Sequence, residues 1–476
     1  MSLHTKTTIV QLTAHIKEWD AALSLFLPIS VFGTILPTWH YSFPSSSSSP
    51  KLDDVSARLD RLGPQIEQLM IIGGSPGLFL GVVTNGEPQY QRSYGFRDSE
   101  NKLAVDQNTV FPVGSSTKAV TAAALGILVD EGKVTWRTPV RYAMPASFLP
   151  DDQFLWHNLT IVDLLCHRAG ISWADNLVIG SDNNIHERIF DPLGMSRSFL
   201  KTPTSDVDNI SKCYNTLDDL STAPITCSRV GDDWYMVATA GVRSYVSDLM
   251  KLYAAFGTCF NDQFTSGTSN TEGLPLKQVP ELMSAKIPMA QPTRNELSYA
   301  LGWQRIQLPG KMGHIGLNSD LLPRGGMPAI GHGIPSELVL FHQGSMPGLL
   351  SFAALIPGTN GAIVVLSNSL ALTDVADWVG QLILQELLNV PDTHKANMID
   401  CAKTTVAGNL MWYPRIVEGL EKGRTGGTSP RDLDEYVGTY WDDIHVFKIV
   451  ATLEDGTLFW AIQGGTGHGE VLTQTL

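Results

Sequence analysis

Extended apolar runs fall into two clusters near opposite ends of this 476-residue chain, and a fold has to bring them together. The first cluster is Leu78 to Thr84 and Gln89 to Tyr94, separated by Asn85-Gly86. Both turn residues tolerate positive φ, so the pair predicts a β-hairpin. The second is Glu337 to Phe341, Ser351 to Pro357 and Ala362 to Leu366, with a turn over Pro357-Gly358-Thr359-Asn360-Gly361. Helical patterns flank both clusters. Val55, Leu59, Leu62, Ile66 and Leu69 recur at helical spacing, with Pro64 kinking or dividing the run. Thr373 to Leu388 reads as a helix capped by Thr373 or Asp374. Strands from distant segments with helices between them predict an α+β fold, one antiparallel sheet flanked by helices.

The punctuation of the chain suggests four parts. Residues 1–51 read as an N-terminal extension that ends in the Ser-rich run before Pro50, and 52–400 as the main domain. Residues 401–430 read as a linker, with Gly423 to Pro430 its most breaker-rich stretch. Residues 431–476 read as a small C-terminal β segment, two or three strands around Asp455-Gly456. Ala21 to Trp39 is mostly apolar, but Pro28, Gly33 and Pro37 interrupt it. A spanning helix needs about 20 uninterrupted apolar residues. An extension is therefore favoured, with a membrane anchor over 21–39 as the open alternative.

Charge narrows the partners. A net charge of −14 works against nucleic acid and anionic membranes, and suits a small neutral or cationic substrate. The five cysteines stand at wide, unpatterned spacings, with no C-x-x-C or Cys/His cluster to suggest zinc. Their odd number argues against a fully paired disulfide framework and favours a reducing, cytoplasmic compartment.

Chemistry concentrates in FPVGSSTKAVTAAALGILVDEGKV, Phe111 to Val134. Ser115 follows Gly114, and Lys118 comes three places later at the start of an apolar helix that Gly132 stops. A spacing of three puts hydroxyl and amine on one helical face. The serine meets the unpaired N–H groups of the helix start, which favour developing negative charge. A buried lysine near that dipole is expected to lose its proton more readily and act as a base. Alone, S-x-x-K is a weak signal, and a serine there also reads as a simple cap. G-x-S-x-G at Gly73 to Gly77 is a decoy: a helix precedes it and an extended run follows, the reverse of a nucleophile elbow.

The context of S-x-x-K extends much further. From about Asp53 to Leu388 the chain resembles the serine β-lactamase and penicillin-binding-protein family, in which S-x-x-K opens the central helix. The matching stretches are Tyr94 to Asp98, LLCHRAG (Leu164 to Gly170), ERIFDPLGM (Glu187 to Met195), AGVRSYVSDL (Ala240 to Leu249) and YALGW (Tyr299 to Trp303). Together they look like the class C and esterase branch in its fungal form. The family's third motif, Lys- or His-x-Gly, matches His342-Gln343-Gly344. The resemblance implies Ser115 as nucleophile, Lys118 as its base, and His342 on the substrate carbonyl side. Gly344 would let substrate approach the backbone, and the Ser345 N–H would complete an oxyanion hole with that of Ser115. It implies a β-lactamase/transpeptidase-like sheet and an acyl-enzyme formed from an ester, amide or β-lactam-like carbonyl. Hydrolysis and acyl transfer both stay open, with small-molecule biosynthesis as the setting. No metal or cofactor is implied.

One motif is missing. The family carries Tyr-x-Asn between LLCHRAG and ERIFDPLGM, yet Ile171 to His186 holds no tyrosine, so a shortened helical lobe is expected. Tyr214-Asn215, Ser181-Asp182-Asn183 and Lys118 acting alone are the three substitutes. A pseudoenzyme that binds a small molecule without turnover is the rival reading. A shortened lobe also predicts exposed apolar surface around Leu164, Leu165 and Ile189.

Overall fold

The structure, a computed structural model, describes residues 52–143, 157–169, 185–204, 207–227, 237–289, 294–323, 326–423, 432–441 and 448–462. Its first elements follow from punctuation. Helices α1 (Leu52–Asp60) and α2 (Gly63–Gly73) divide at Pro64, which starts α2 where no amide bond is needed. Gly74 ends α2 in the left-handed conformation, and its N–H bonds back into the last turn. Ser75 and Pro76 then lead into β1 (Gly77–Thr84), so the G-x-S-x-G stretch is a helix-to-strand connection. Asn85 (φ 53°) and Gly86 (φ 79°) turn the chain into β2 (Glu87–Asp98).

The remaining sheet strands are β3 (Leu103–Ala104), β4 (Ile287–Pro288), β5 (Leu297–Tyr299), β6 (Gln304–Leu308), β7 (Glu337–Met346), β8 (Leu349–Ile356) and β9 (Gly361–Ser367). They assemble in the order β3-β2-β1-β9-β8-β7-β6-β5-β4, with every neighbour antiparallel. The two apolar clusters thus join where β1 pairs with β9, Leu80 opposite Val365. Alternate residues supply opposite faces. Phe79, Val83, Leu340, Leu355 and Val364 pack on one side with α3 (Thr117–Asp130) and α4 (Val246–Ser266). Leu78, Leu80, Val82, Phe341 and Phe352 pack on the other with α1, α2 and α5 (Val375–Leu387). The fold is α+β, as expected, with helices on both faces of one antiparallel sheet.

Three expectations need correction. Residues 398–423 are helical where a linker over 401–430 was expected: α6 (Met398–Leu410) and α7 (Trp412–Gly423). Asn397 caps α6, and Ala402 and Thr405 are fully buried, so α6 closes the second core. Cys213 and Cys227 form a disulfide, leaving Cys166, Cys259 and Cys401 free. Cysteine parity therefore carries no argument for a reducing compartment. Ile189 is fully buried and Leu165 packs against the first core, so the expected apolar patch does not form there. The C-terminal strands are β10 (Gly438–Trp441), β11 (Lys448–Glu454) and β12 (Thr457–Ile462), with Asp455-Gly456 as the second turn. Among the described residues, no helix is long and apolar enough to cross a membrane.

A buried polar cluster holds β7 from behind. Gln343 Nε2 donates to Asp377 Oδ1 on α5 at 3.1 Å, and Gln304 Nε2 donates to Gln343 Oε1 at 2.7 Å. Asn318, fully buried, donates to Asp377 Oδ2 at 3.0 Å and to the Asp374 carbonyl at 3.1 Å. Its own oxygen accepts from the Thr373 hydroxyl and the Asp374 N–H, both at 2.8 Å. Asn318→Ala would strip four buried groups of a partner at once. It is expected to destabilise the chain by about 3 kcal/mol or more. Urea unfolding should show a lower midpoint at an unchanged slope.

Candidate active site

The S-x-x-K segment enters from a two-residue strand, Phe111–Pro112, paired with Arg243–Ser244. Gly114 to Ser116 form a 3₁₀ turn that runs directly into α3. Ser115 and Lys118 are both half-buried, and Lys118 Nζ donates to Ser115 Oγ at 2.9 Å. The spacing of three thus makes the contact that nucleophile and base require. Ser116 points away into the core. Its hydroxyl lies 3.2 Å from that of Ser351, which donates to the Val113 carbonyl at 2.8 Å. The AGVRSYVSDL stretch fixes the same turn from the other side. Val113 N–H donates to the Val242 carbonyl at 3.0 Å, and Val242 N–H donates to Thr117 Oγ1 at 3.1 Å.

Strand β7 lies against this turn. A Cβ on Gly344 would sit 2.9 Å from Ser115 N and 2.8 Å from the Val113 carbonyl oxygen, so only glycine permits the approach. Ser345, the next residue, is exposed. Met346 pairs with Leu349 around the two-residue turn Pro347-Gly348. The pair flanking such a turn exchanges hydrogen bonds, and alternation then points the Ser345 N–H away from β8. On that side β6 ends opposite Phe341, so no sheet strand covers Ser345. The Ser115 turn therefore lies against β7 at Gly344, one residue before Ser345.

His342 sits deeper than the resemblance suggested. It is 5% exposed, with Nε2 2.9 Å from the Tyr299 hydroxyl and Nδ1 2.5 Å from the Gln343 carbonyl. Both ring nitrogens thus have partners within the protein, the Tyr299 hydroxyl and the Gln343 carbonyl. Burial pushes its pKa down to about 3, and the nearby Lys118 charge adds to the effect. Tyr299 belongs to the YALGW stretch, and nothing in that stretch announces its reach to His342. Gln343 and Asp377 were also missed, for nothing local in the sequence marks them.

The substitutes for Tyr-x-Asn divide. Tyr214 is buried, its hydroxyl accepting from Ser99 N–H at 2.8 Å and donating to Glu100 at 3.1 Å. That hydroxyl holds the β2 end in place. Ser181-Asp182-Asn183 lies outside the described residues. Among the described residues, no group of three or more His, Cys, Asp or Glu is arranged to hold a metal.

The family model described as Beta-lactamase matches residues 64–184 and 180–385. An unguisins hydrolase of Aspergillus campestris is 38% identical over 115 residues, 23% of this chain and 21% of that protein. An unguisins hydrolase of Aspergillus violaceofuscus is 23% identical over 474 residues, 80% of this chain and 75% of that protein. The chain thus matches about a fifth of the first relative's length and three quarters of the second's. Among solved structures, the D-alanine carboxypeptidase AmpC from Burkholderia cenocepacia superposes with a TM-score of 0.52 at 19% identity. That superposition covers 70% of this chain and 99% of the other, and it shows the same fold.

Proposed function

The chain belongs to the Beta-lactamase family, and from that premise we propose that it hydrolyses an ester, amide or β-lactam-like carbonyl through an acyl-enzyme on Ser115. Family and relatives support serine hydrolase activity in general; the residue roles and the fate of the acyl group are our reading. The observation that carries it is the 2.9 Å contact from Lys118 Nζ to Ser115 Oγ.

Ser115 Oγ attacks the carbonyl carbon as its proton passes to Lys118 Nζ. The oxyanion forms between the Ser115 and Ser345 amides, a pair of donors fixed before the reaction begins. Collapse breaks the bond to the leaving group, which takes the proton back from Lys118. Water then adds to the acyl-enzyme, Lys118 accepts its proton, and the acid leaves as Ser115 Oγ is reprotonated. The substrate is a small acyl compound, neutral or cationic, in keeping with the chain's negative charge. Small-molecule biosynthesis is the setting we propose for it.

Water is the proposed acceptor, in line with relatives named as hydrolases. The test is p-nitrophenyl acetate turnover with and without an added alcohol or amine. We expect acid as the product and a turnover rate unchanged by the acceptor. A new ester or amide product, with faster turnover, would make the protein a transferase. An acyl-enzyme that never forms would make it the pseudoenzyme.

A further inference from the structure

Tyr299 ends β5, in register through Gln304 of β6 with Phe341, the residue before His342. It is 3% exposed, and its ring meets that of His342 edge-on at 6.0 Å between centroids. His167, from LLCHRAG, stands edge-on to the same tyrosine at 5.1 Å. The loop after Tyr299 is registered on the catalytic helix. Gly302 (φ +76°) lies so close to the first turn of α3 that a Cβ there would be 2.7 Å from the Lys118 carbonyl oxygen. YALGW, LLCHRAG and H-Q-G therefore converge beside Lys118.

The proton positions follow from the partners. A carbonyl oxygen only accepts, so the 2.5 Å contact to the Gln343 carbonyl places a hydrogen on His342 Nδ1. Nε2 of the neutral ring is then an acceptor, and the Tyr299 hydroxyl donates to it at 2.9 Å. Burial and the neighbouring Lys118 charge both oppose a proton on this ring.

We infer that Tyr299 is a positioning residue of this site: its hydroxyl locks His342 as the neutral Nδ1–H tautomer beside Lys118. The kinetic consequence rests on the hydrolase reading above. The groups whose charge acts on His342 are Lys118 from α3 and His167 from LLCHRAG, with Tyr299 facing it from β5. With Phe at 299, the Nε2 lone pair loses its donor. The Lys118 charge, which already acts on this ring, then has an uncapped acceptor in its field, and that favours the protonated lysine, which is no base. The ring at 299 is retained, so the packing against His167 is kept.

Two readouts test this on the full chain. In protein labelled with ¹⁵N-histidine and assigned with His342→Gln, His342 should show a protonated Nδ1 and a bare Nε2 that do not titrate between pH 5 and 8. Tyr299→Phe should move the Nε2 resonance or switch the tautomer. Labelling of Ser115 by a fluorophosphonate at pH 7 should slow about 10-fold, the scale of one lost buried hydrogen bond. The acidic limb of its pH profile should move to higher pH. In a His342→Gln background, Tyr299→Phe should add nothing further, because the tyrosine acts through His342. An Nε2–H tautomer in the unaltered chain, or an equal Tyr299→Phe effect with and without His342, would overturn the inference. Absence of labelling in the unaltered chain would instead sink the hydrolase reading, and with it the kinetic consequence; the spectra alone would then decide the lock.

Discussion

Lys118→Met is expected to slow acylation of Ser115 about 10²-fold or more, the usual contribution of a positioned base. Methionine keeps the length and the apolar stem while removing the atom that lies 2.9 Å from Ser115 Oγ. The loss is therefore chemical, and the melting temperature should change little. Lys118→Arg should be as slow, because a guanidinium keeps its proton at any working pH. The wild-type rate should rise with pH as the lysine gives up its proton, and both variants should lose that rise. Burst kinetics with p-nitrophenyl acetate from pH 5 to 9 measure all three. A near-normal burst in Lys118→Met would make the lysine structural and send the proton elsewhere.

Gly344→Ala should have an effect of similar size by another route. One added carbon would stand 2.9 Å from Ser115 N and 2.8 Å from the Val113 carbonyl, closer than real Cβ atoms pack. Strand β7 must then draw back from the 3₁₀ turn, separating the Ser345 amide from that of Ser115. Losing one aligned oxyanion donor costs about 10²–10³-fold in turnover. Lys118 and Ser115 stay in contact, so the pH profile should keep its shape while its height falls. This separates the two variants. Turnover at the wild-type level would mean that the approach of β7 serves packing and not the oxyanion.

Much of this architecture was legible because it is local or periodic. Asn85-Gly86 announces its hairpin, Pro64 its helix break, and Ser115 with Lys118 a shared helix face. In the structure Leu78, Leu80 and Val82 pack on one face of the sheet and Phe79 and Val83 on the other. What stayed hidden depends on contacts between distant segments. Tyr299 meets His342 across two strand pairings, and Gln343 finds Asp377 only after α5 packs on the sheet. Neither pairing leaves a mark in periodicity. Helix α7 escaped notice for a different reason. Pro414 sits inside its first turn, where proline is tolerated, and the Gly-rich run after Gly423 drew the whole stretch towards a linker. His342 was placed by resemblance, which supplies a position and not a rotamer. Its burial against Tyr299 had to come from the fold.

The central claim is that Ser115 carries the acyl group, and peptide mapping by mass spectrometry tests it most directly. The full chain is treated with a fluorophosphonate, digested, and the peptide spanning Phe111 to Lys118 is fragmented. The account predicts a single adduct, on Ser115 and not on its neighbour Ser116, and none in Ser115→Ala. An adduct on Ser116 or Ser75, or one that persists in the Ala variant, would contradict it.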